Sequence, residues 1–312
     1  MKAIRIHDFG GPEVLELEEA PTPHPGKDEV LVKVYATSVN PVDWKIREGL
    51  GMEKFPSNLP LIPGWDVSGV IEKVGENVHK FKQGDEIYGR SDPTRDGAYA
   101  EYIVVKANQL AKKPKSIDHL NAAAVPLAGL TAWQGLFDRG KLQKDQKVLI
   151  HAAAGGVGTF AVQFAKWKGA YVIGTASEKN ISFVKQLGAD EVIDYKKENF
   201  EDKLRDIDLV FDTIGGDTQK RSLQVLKKGG RLITTVKLEN QEAAKEKHIY
   251  IEGYMAQSNP DQLEQIAGLI DKGIIQPVVS MVVSLDEAAK AQRISEEGHV
   301  RGKIVIKVVN SL

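Results

Sequence analysis

The chain contains no cysteine. That excludes disulfides, thiolate nucleophiles and every cysteine-based zinc site, and it fits a reducing compartment. Charge imbalance is also missing: 42 Lys and Arg face 43 Asp and Glu, for a net charge of −1. A near-neutral chain argues against a general binder of nucleic acid or anionic membrane. Long apolar runs are scarce as well. Only residues 148–165 approach a membrane span, and they hold His151, Gln163 and three glycines, so strand–turn–helix explains them better. The first residues lack the apolar core of a signal peptide. The seven histidines are scattered without ligand spacing. No internal repeat or low-complexity tract is present. The expectation is a cytoplasmic α/β chain, and 312 residues favour two domains over one.

The stretch richest in chemical meaning runs from Lys147 to Lys166. Residues 147–152 form a short apolar run of buried-strand type. A turn of small residues follows, and the apolar segment after Gly158 is long enough for a helix. Ala153, Gly155 and Gly158 stand at the three glycine positions of the dinucleotide fingerprint, with Ala as a departure at the first. Gly155 lets backbone approach a pyrophosphate, and Gly158 lets helix and strand pack closely. The helix N-terminus then turns unpaired N–H groups and its positive dipole end toward phosphate. A glycine turn that serves packing alone is the competing reading.

The first part of the chain, to about residue 125, has a β texture. Residues 29–36 alternate, with Val30, Val32 and Val34 on one face; residues 98–105 are similarly strand-like. Frequent Gly and Pro turns suggest a compact, barrel-like β domain. Residues 122–136 read as helical, broken near Pro126 at an interdomain hinge. Strands are expected at 148–151, 171–175, 191–194, 209–212, 231–236 and 248–254, interleaved with helices, which predicts an open parallel sheet covered on both faces. A helix at 261–271 buries Leu263, Ile266 and Ile270. A last strand at 303–308 returns to the first domain.

The fingerprint's second half is an acid about twenty residues on, which binds the NAD ribose. That place falls near Thr175, and the strand ends with Ser177, Glu178 and Lys179. A hydroxyl and an ammonium suit a 2′-phosphate through charge-assisted hydrogen bonds, so NADP is favoured over NAD. Glu178 acts against this unless it faces solvent. Helix capping is the bland reading of the same residues.

Across its whole length the chain resembles the zinc-free quinone oxidoreductase (zeta-crystallin-like) branch of the medium-chain dehydrogenase/reductases. The resemblance rests on residues 149–158, Asn40-Pro-Val-Asp43, 63–69, 84–89, 129–133, 187–195, 212–216 and 301–305. It implies a GroES-like β-barrel domain, residues 1–125 completed by 260–312, and a Rossmann NADP-binding domain, 126–259, with a cofactor cleft between them. It also implies that Asn40, Asp43 and Thr131 lie near the nicotinamide. Ser177, Lys179 and Tyr195 would surround the adenosine 2′-phosphate. Ala153, Gly155, Gly156, Val157 and Gly158 would line the pyrophosphate, with Thr235 and Lys303 as weaker candidates along the cofactor.

Where the zinc alcohol dehydrogenases carry Cys-x-x-Asp and Gly-His-Glu, this chain has Asn40-Pro-Val-Asp43 and Gly64-Trp-Asp66. Without a zinc Lewis acid, alcohol oxidation loses its main electrostatic stabilisation. Acceptors whose product charge delocalises fit better: quinones, or the C=C bond of α,β-unsaturated carbonyls. The expected activity is NADPH-dependent hydride transfer to such a small molecule, with positioning as the chief contribution. An NADPH-binding structural or redox-sensing protein with little turnover is the alternative, because some relatives serve as lens crystallins or bind RNA. Tyr35, Tyr88, Tyr99 and Tyr254 are candidate proton donors, with packing as the commoner role. His151 reads as structural, and Lys45 and Arg47 read as an exposed charged loop. The resemblance further implies a homodimer, formed through the strand at 248–254.

Overall fold

The computed structural model describes residues 1–50, 55–56, 58 and on to 309. Residues 310–312, the end of the expected C-terminal segment, lie outside them. The chain divides into two compact units: Met1–Leu127 with Ser258–Gly273 and Pro277–Leu312, and Ala128–Gln257 with Ile274–Gln276.

The first unit is an antiparallel β structure. Its strands are β1 (Lys2–Arg5), β2 (Glu16–Glu19), β3 (Glu29–Ser38), β4 (Asp66–Val74), β5 (Glu86–Arg90), β6 (Tyr102–Lys106) and β7 (Leu110–Lys112). β3 is the spine: β4 and β6 pair with it antiparallel, and β5 and β7 extend the sheet from β4. Val30, Val32 and Val34 are fully buried and meet Val67, Ile71, Ile87 and Ile103, which is the period-two face that the sequence shows. The strand-like stretch from residue 98 enters the sheet only at Tyr102, because Ala98 and Tyr99 bond instead to the carbonyls of Gly64 and Pro63.

The second unit holds six strands, all parallel: β8 (Lys147–Ile150), β9 (Tyr171–Ala176), β10 (Glu191–Asp194), β11 (Ile207–Asp212), β12 (Leu226–Thr234) and β13 (Tyr250–Gly253). Their spatial order is β10-β9-β8-β11-β12-β13. Numbered within the unit this is 3-2-1-4-5-6, the doubly wound order of dinucleotide-binding sheets. The order reverses between β8 and β11, which puts the switch point of the sheet, where such folds bind ligands, at the carboxyl end of β8 beside the glycine turn.

The chain then returns to the first unit. Helix Pro260–Asp271 buries Leu263, Ile266 and Ile270, as its stripe predicts. β14 (Val279–Ser284) pairs parallel with β15 (Lys303–Lys307), and β15 pairs antiparallel with β3. Residues 122–136 form two helices, broken before Pro126, and then a π-helical turn, Gln134–Arg139.

A tight turn at Gly64 helps to fix the first unit. Gly64 has φ +85°, and a Cβ there would lie 2.0 Å from the ring of the buried Tyr99. Gly64→Ala should therefore cost about 2–4 kcal/mol from backbone strain and overpacking together. A fall in the denaturant midpoint measures this; an unchanged midpoint would show that Tyr99 moves aside freely.

Candidate active site

In the second unit the fingerprint turn is built from backbone. Ala152 has φ +51° and Gly155 N–H bonds back to its carbonyl at 2.9 Å. A Cβ on Gly158 would sit 2.2 Å from that same carbonyl, so only glycine lets the helix close on the turn. The helix starts at Gly156, earlier than the apolar run suggests, which puts Gly156, Val157 and Gly158 in its first turn. Gly155 is the N-cap and supplies no side chain to bond the first N–H groups. Those groups suit a phosphate. β9 passes close to Ala153, at the first fingerprint position: a Cβ on Gly174 would meet the Ala153 Cβ at 2.8 Å.

Ser177 and Lys179 follow β9 directly, Ser177 half-buried and Lys179 exposed. Tyr195 follows β10, half exposed, and its N–H bonds to Ala176 O at 3.3 Å. The three thus lie at the carboxyl ends of neighbouring strands. Glu178 faces solvent and pairs with Lys197 at 2.7 Å. Thr235 stands at the end of β12, its N–H bonded to Asp212 O. Thr131 is buried in helix Pro126–Trp133, and its carbonyl accepts from the Tyr254 hydroxyl. His151 is 1 % exposed and bonded to Thr175 Oγ1 and Ser222 Oγ; burial lowers its pKa to about 4. It is a neutral structural residue.

The first unit brings Asn40, Asp43 and Lys303 into one buried polar cluster with Asp66, Ser38 and Tyr99. Asn40 precedes helix Pro41–Arg47, and Asp43 in the first turn accepts its N–H at 2.8 Å, half of a capping box. The Asn40 amide is held at both ends: Nδ2 donates to Asp66 Oδ2 at 2.8 Å, and Oδ1 accepts from Lys303 Nζ. Lys303 also donates to Val39 O at 2.8 Å and lies 3.6 Å from Asp66 Oδ2. Ser38 Oγ and Leu127 N–H complete Asp66. Burial pushes Lys303 below the ordinary ammonium range. Burial raises Asp43 to about 7, and its Oδ1 has no partner.

These donors do not fit zinc. Where the zinc branch carries cysteine and histidine stand Asn40, whose amide is engaged at both ends, and Trp65, whose Nε1 bonds Arg95 O. An ammonium already occupies the cation's place against Asn40. Among the described residues, one His/Asp/Glu trio lies close enough to share a cation, His7, Glu16 and Glu18. It sits at the surface, and Arg5 already holds Glu18 at 2.6 Å.

Sequence reasoning missed Ser38 and Arg47. Arg47 is wholly buried, not part of an exposed loop: Nε donates to Gly10 O, and Nη1 meets Gln292 and Glu296. Helical phase gives the only early hint, because Asp43, Ile46 and Arg47 share the buried face. Among the tyrosines, Tyr88 and Tyr254 donate to backbone carbonyls, Tyr35 stacks on His119, and Tyr99 donates to Asp43.

A doubly wound nucleotide sheet joined to a β unit that carries a buried polar cluster defines a dinucleotide-dependent oxidoreductase. The comparisons with known proteins are specific. Residues 26–115 match the "Alcohol dehydrogenase GroES-like domain" family and residues 187–306 the "Zinc-binding dehydrogenase" family. An Arabidopsis thaliana protein named NADPH-dependent alkenal/one oxidoreductase, chloroplastic, is 37% identical, over 98% of this chain and 79% of its own length. The quinone oxidoreductase from Coxiella burnetii superposes with TM-score 0.93 at 38% identity, covering 99% of each chain. Escherichia coli quinone oxidoreductase complexed with NADPH gives TM-score 0.90 at 30% identity, over 98% of this chain and 100% of that one. The chain belongs to the quinone oxidoreductase branch of the medium-chain dehydrogenase/reductases.

Asp43 makes stability depend on pH. Its carboxyl titrates at 3.8 when unfolded and about 7 when folded, so the folded chain holds the proton more tightly. The contribution is complete below about pH 4 and is lost as pH rises toward 7, by up to about 1.4 kcal/mol per unit. Asp43→Asn should flatten the pH dependence of unfolding free energy between pH 4.5 and 7; an unaltered slope would show that Asp43 is ionised throughout.

Proposed function

We propose that the chain is an NADPH-dependent reductase of quinones, or of the C=C bond of α,β-unsaturated carbonyls, working without zinc. The observation that carries this reading is the glycine turn after β8, whose open helix N-terminus lies at the reversal point of the 3-2-1-4-5-6 sheet. The bound dinucleotide supplies the hydride. Gly155, Gly156, Val157 and Gly158, with Ala153 behind them, bind its pyrophosphate through backbone N–H groups. Ser177, Lys179 and Tyr195 take the 2′-phosphate, with Thr235 further along.

Asn40, Asp43 and Thr131 position the reacting groups. Lys303 acts through Asn40: with its ammonium spent on Val39 and Asn40, it orients the amide. Burial raises the Asp43 carboxyl to about 7, so near neutral pH it carries a proton part of the time, and its Oδ1 has no other partner. Lys303, spent on Val39 and Asn40, offers no open position of the kind a metal gives a carbonyl, so electron-poor acceptors whose product charge delocalises are favoured.

A homodimer belongs to the same proposal. β13 is the edge of the sheet, its Tyr250 half exposed, and an edge strand offers unpaired backbone to a second copy. Among the described residues no helix is long and apolar enough to cross a membrane; a cytoplasmic location is proposed with the rest.

Initial rates of NADPH and NADH oxidation with 1,4-benzoquinone, an ortho-quinone and a simple enone test the reading. NADPH preference with quinone turnover is expected, and turnover with the enone alone assigns the chain to alkenal reduction. NADPH binding without turnover of any acceptor would favour a non-catalytic protein. Lys179→Ala should raise the KM for NADPH about tenfold and leave NADH little changed. An equal effect on both would remove Lys179 from the 2′-phosphate.

A further inference from the structure

Arg90 ends β5, directly opposite Asp66 on β4. Cross-strand partners point to the same face, so its side chain enters the side of the sheet that holds Asp66, Asn40 and Lys303. It is 7 % exposed. Its Nε is buried without an acceptor, and among the described residues its guanidinium makes neither a hydrogen bond nor an ion pair. Every other buried cation of the unit is engaged: Arg47 by Gly10, Gln292 and Glu296, Lys303 by Val39 and Asn40, Lys113 by Pro114 and Ile117.

The carboxylates whose field reaches Arg90 are Asp66, Asp92 and Asp43. None of the three bonds Arg90: Asp66 is held by Ser38, Asn40 and Leu127, Asp92 by Thr94, and Asp43 accepts from Asn40 and Tyr99 through Oδ2. Burial already lowers the guanidinium pKa. A largely buried guanidinium with an orphaned Nε is costly to the free protein, and a neutral carbonyl oxygen would leave its charge uncompensated. A carboxylate compensates it and matches its planar fork with two parallel bonds.

We infer that Arg90 is a substrate-carboxylate site: the preferred acceptors are conjugated carbonyl compounds that carry a carboxylate, of the 4-oxo-2-alkenoate type. This deepens the reductase reading and rests on it for the reaction, though not for the binding. Hydride chemistry stays at the conjugated system, and Arg90 takes no part in bond making. It sets which acceptor is held and in which direction.

Two measurements separate the site from the reaction. The first compares kcat/KM for trans-4-oxo-2-pentenoate with that for its methyl ester, in the protein and in Arg90→Gln and Arg90→Lys. Charge-assisted bonds of this kind predict an acid-over-ester ratio of roughly 10- to 100-fold, collapsing in Arg90→Gln and partly kept in Arg90→Lys. Because each ratio is taken within one variant, loss of folded protein cancels. The second measures binding of levulinate, the saturated analogue, by titration calorimetry. Binding to the protein and not to Arg90→Gln supports the site even where no acceptor turns over, a result that would sink the reductase reading alone. Equal treatment of acid and ester, with levulinate binding absent or unaltered by the substitution, overturns the inference. So does a tenfold loss of NADPH affinity in Arg90→Gln with the ratio unmoved, which would give Arg90 to a cofactor phosphate.

Discussion

A lysine ammonium sealed inside the first unit is the constraint on which the rest of that unit depends. Removing such a charge from water costs several kcal/mol unless carbonyl and carboxylate oxygens replace the lost hydration. Lys303 finds them at Val39, Asn40 and, slightly further, Asp66. Each partner needs a different segment in register: the end of β3, the cap of helix Pro41–Arg47, and the start of β4. The requirement explains why β15, from the far end of the chain, pairs with β3 rather than standing apart. It also explains why Asn40 has a single orientation, since its oxygen must face the ammonium and its nitrogen the carboxylate. One cation thus ties strand pairing to amide geometry.

The second unit solves its recognition problem by the opposite means. No side chain caps helix Gly156–Trp167, and the turn before it is shaped by how closely backbone passes backbone: Gly158 against Ala152, Ala153 against Gly174. A site made of N–H groups is rigid because its atoms belong to the sheet and helix, so it tolerates side-chain variation around it. The polar cluster of the first unit has no such tolerance. Removing any member leaves a buried charge or amide without its partner, the costly case for a low-dielectric interior.

That difference decides what could be read from the sequence. Backbone sites announce themselves through residues that backbone geometry demands, so the glycine turn and the alternating βα pattern of the second unit were legible from spacing alone. The strand at 191–194 was recovered to the residue, and the stripe of helix Pro260–Asp271 faced inward as its period required. The first unit was legible as texture, through the valines of β3, but not as a site. Asn40 and Asp43 came from motif resemblance. Their links to Ser38, Tyr99 and Lys303 span up to 263 positions, and no local rule carries information over that distance. Arg47 failed for a related reason. A charged residue near the surface-loving end of a short helix defaults to solvent, and only the packing of helix Ala288–Glu296 overrides it.

The same cluster bears on which acceptors suit the site. A catalytic zinc works because one coordination position stays open to the substrate oxygen. The Lys303 ammonium offers no equivalent, since its donors are directed at Val39 and Asn40 and its charge is balanced by Asp66. Charge that develops on an acceptor oxygen must therefore be spread by the acceptor itself, as in quinones and conjugated carbonyls, or be met by a group not yet spent. Burial raises the Asp43 carboxyl to about 7, so it is partly protonated near neutral pH. The first unit is thus matched to reduction of electron-poor acceptors by the very interactions that hold it together.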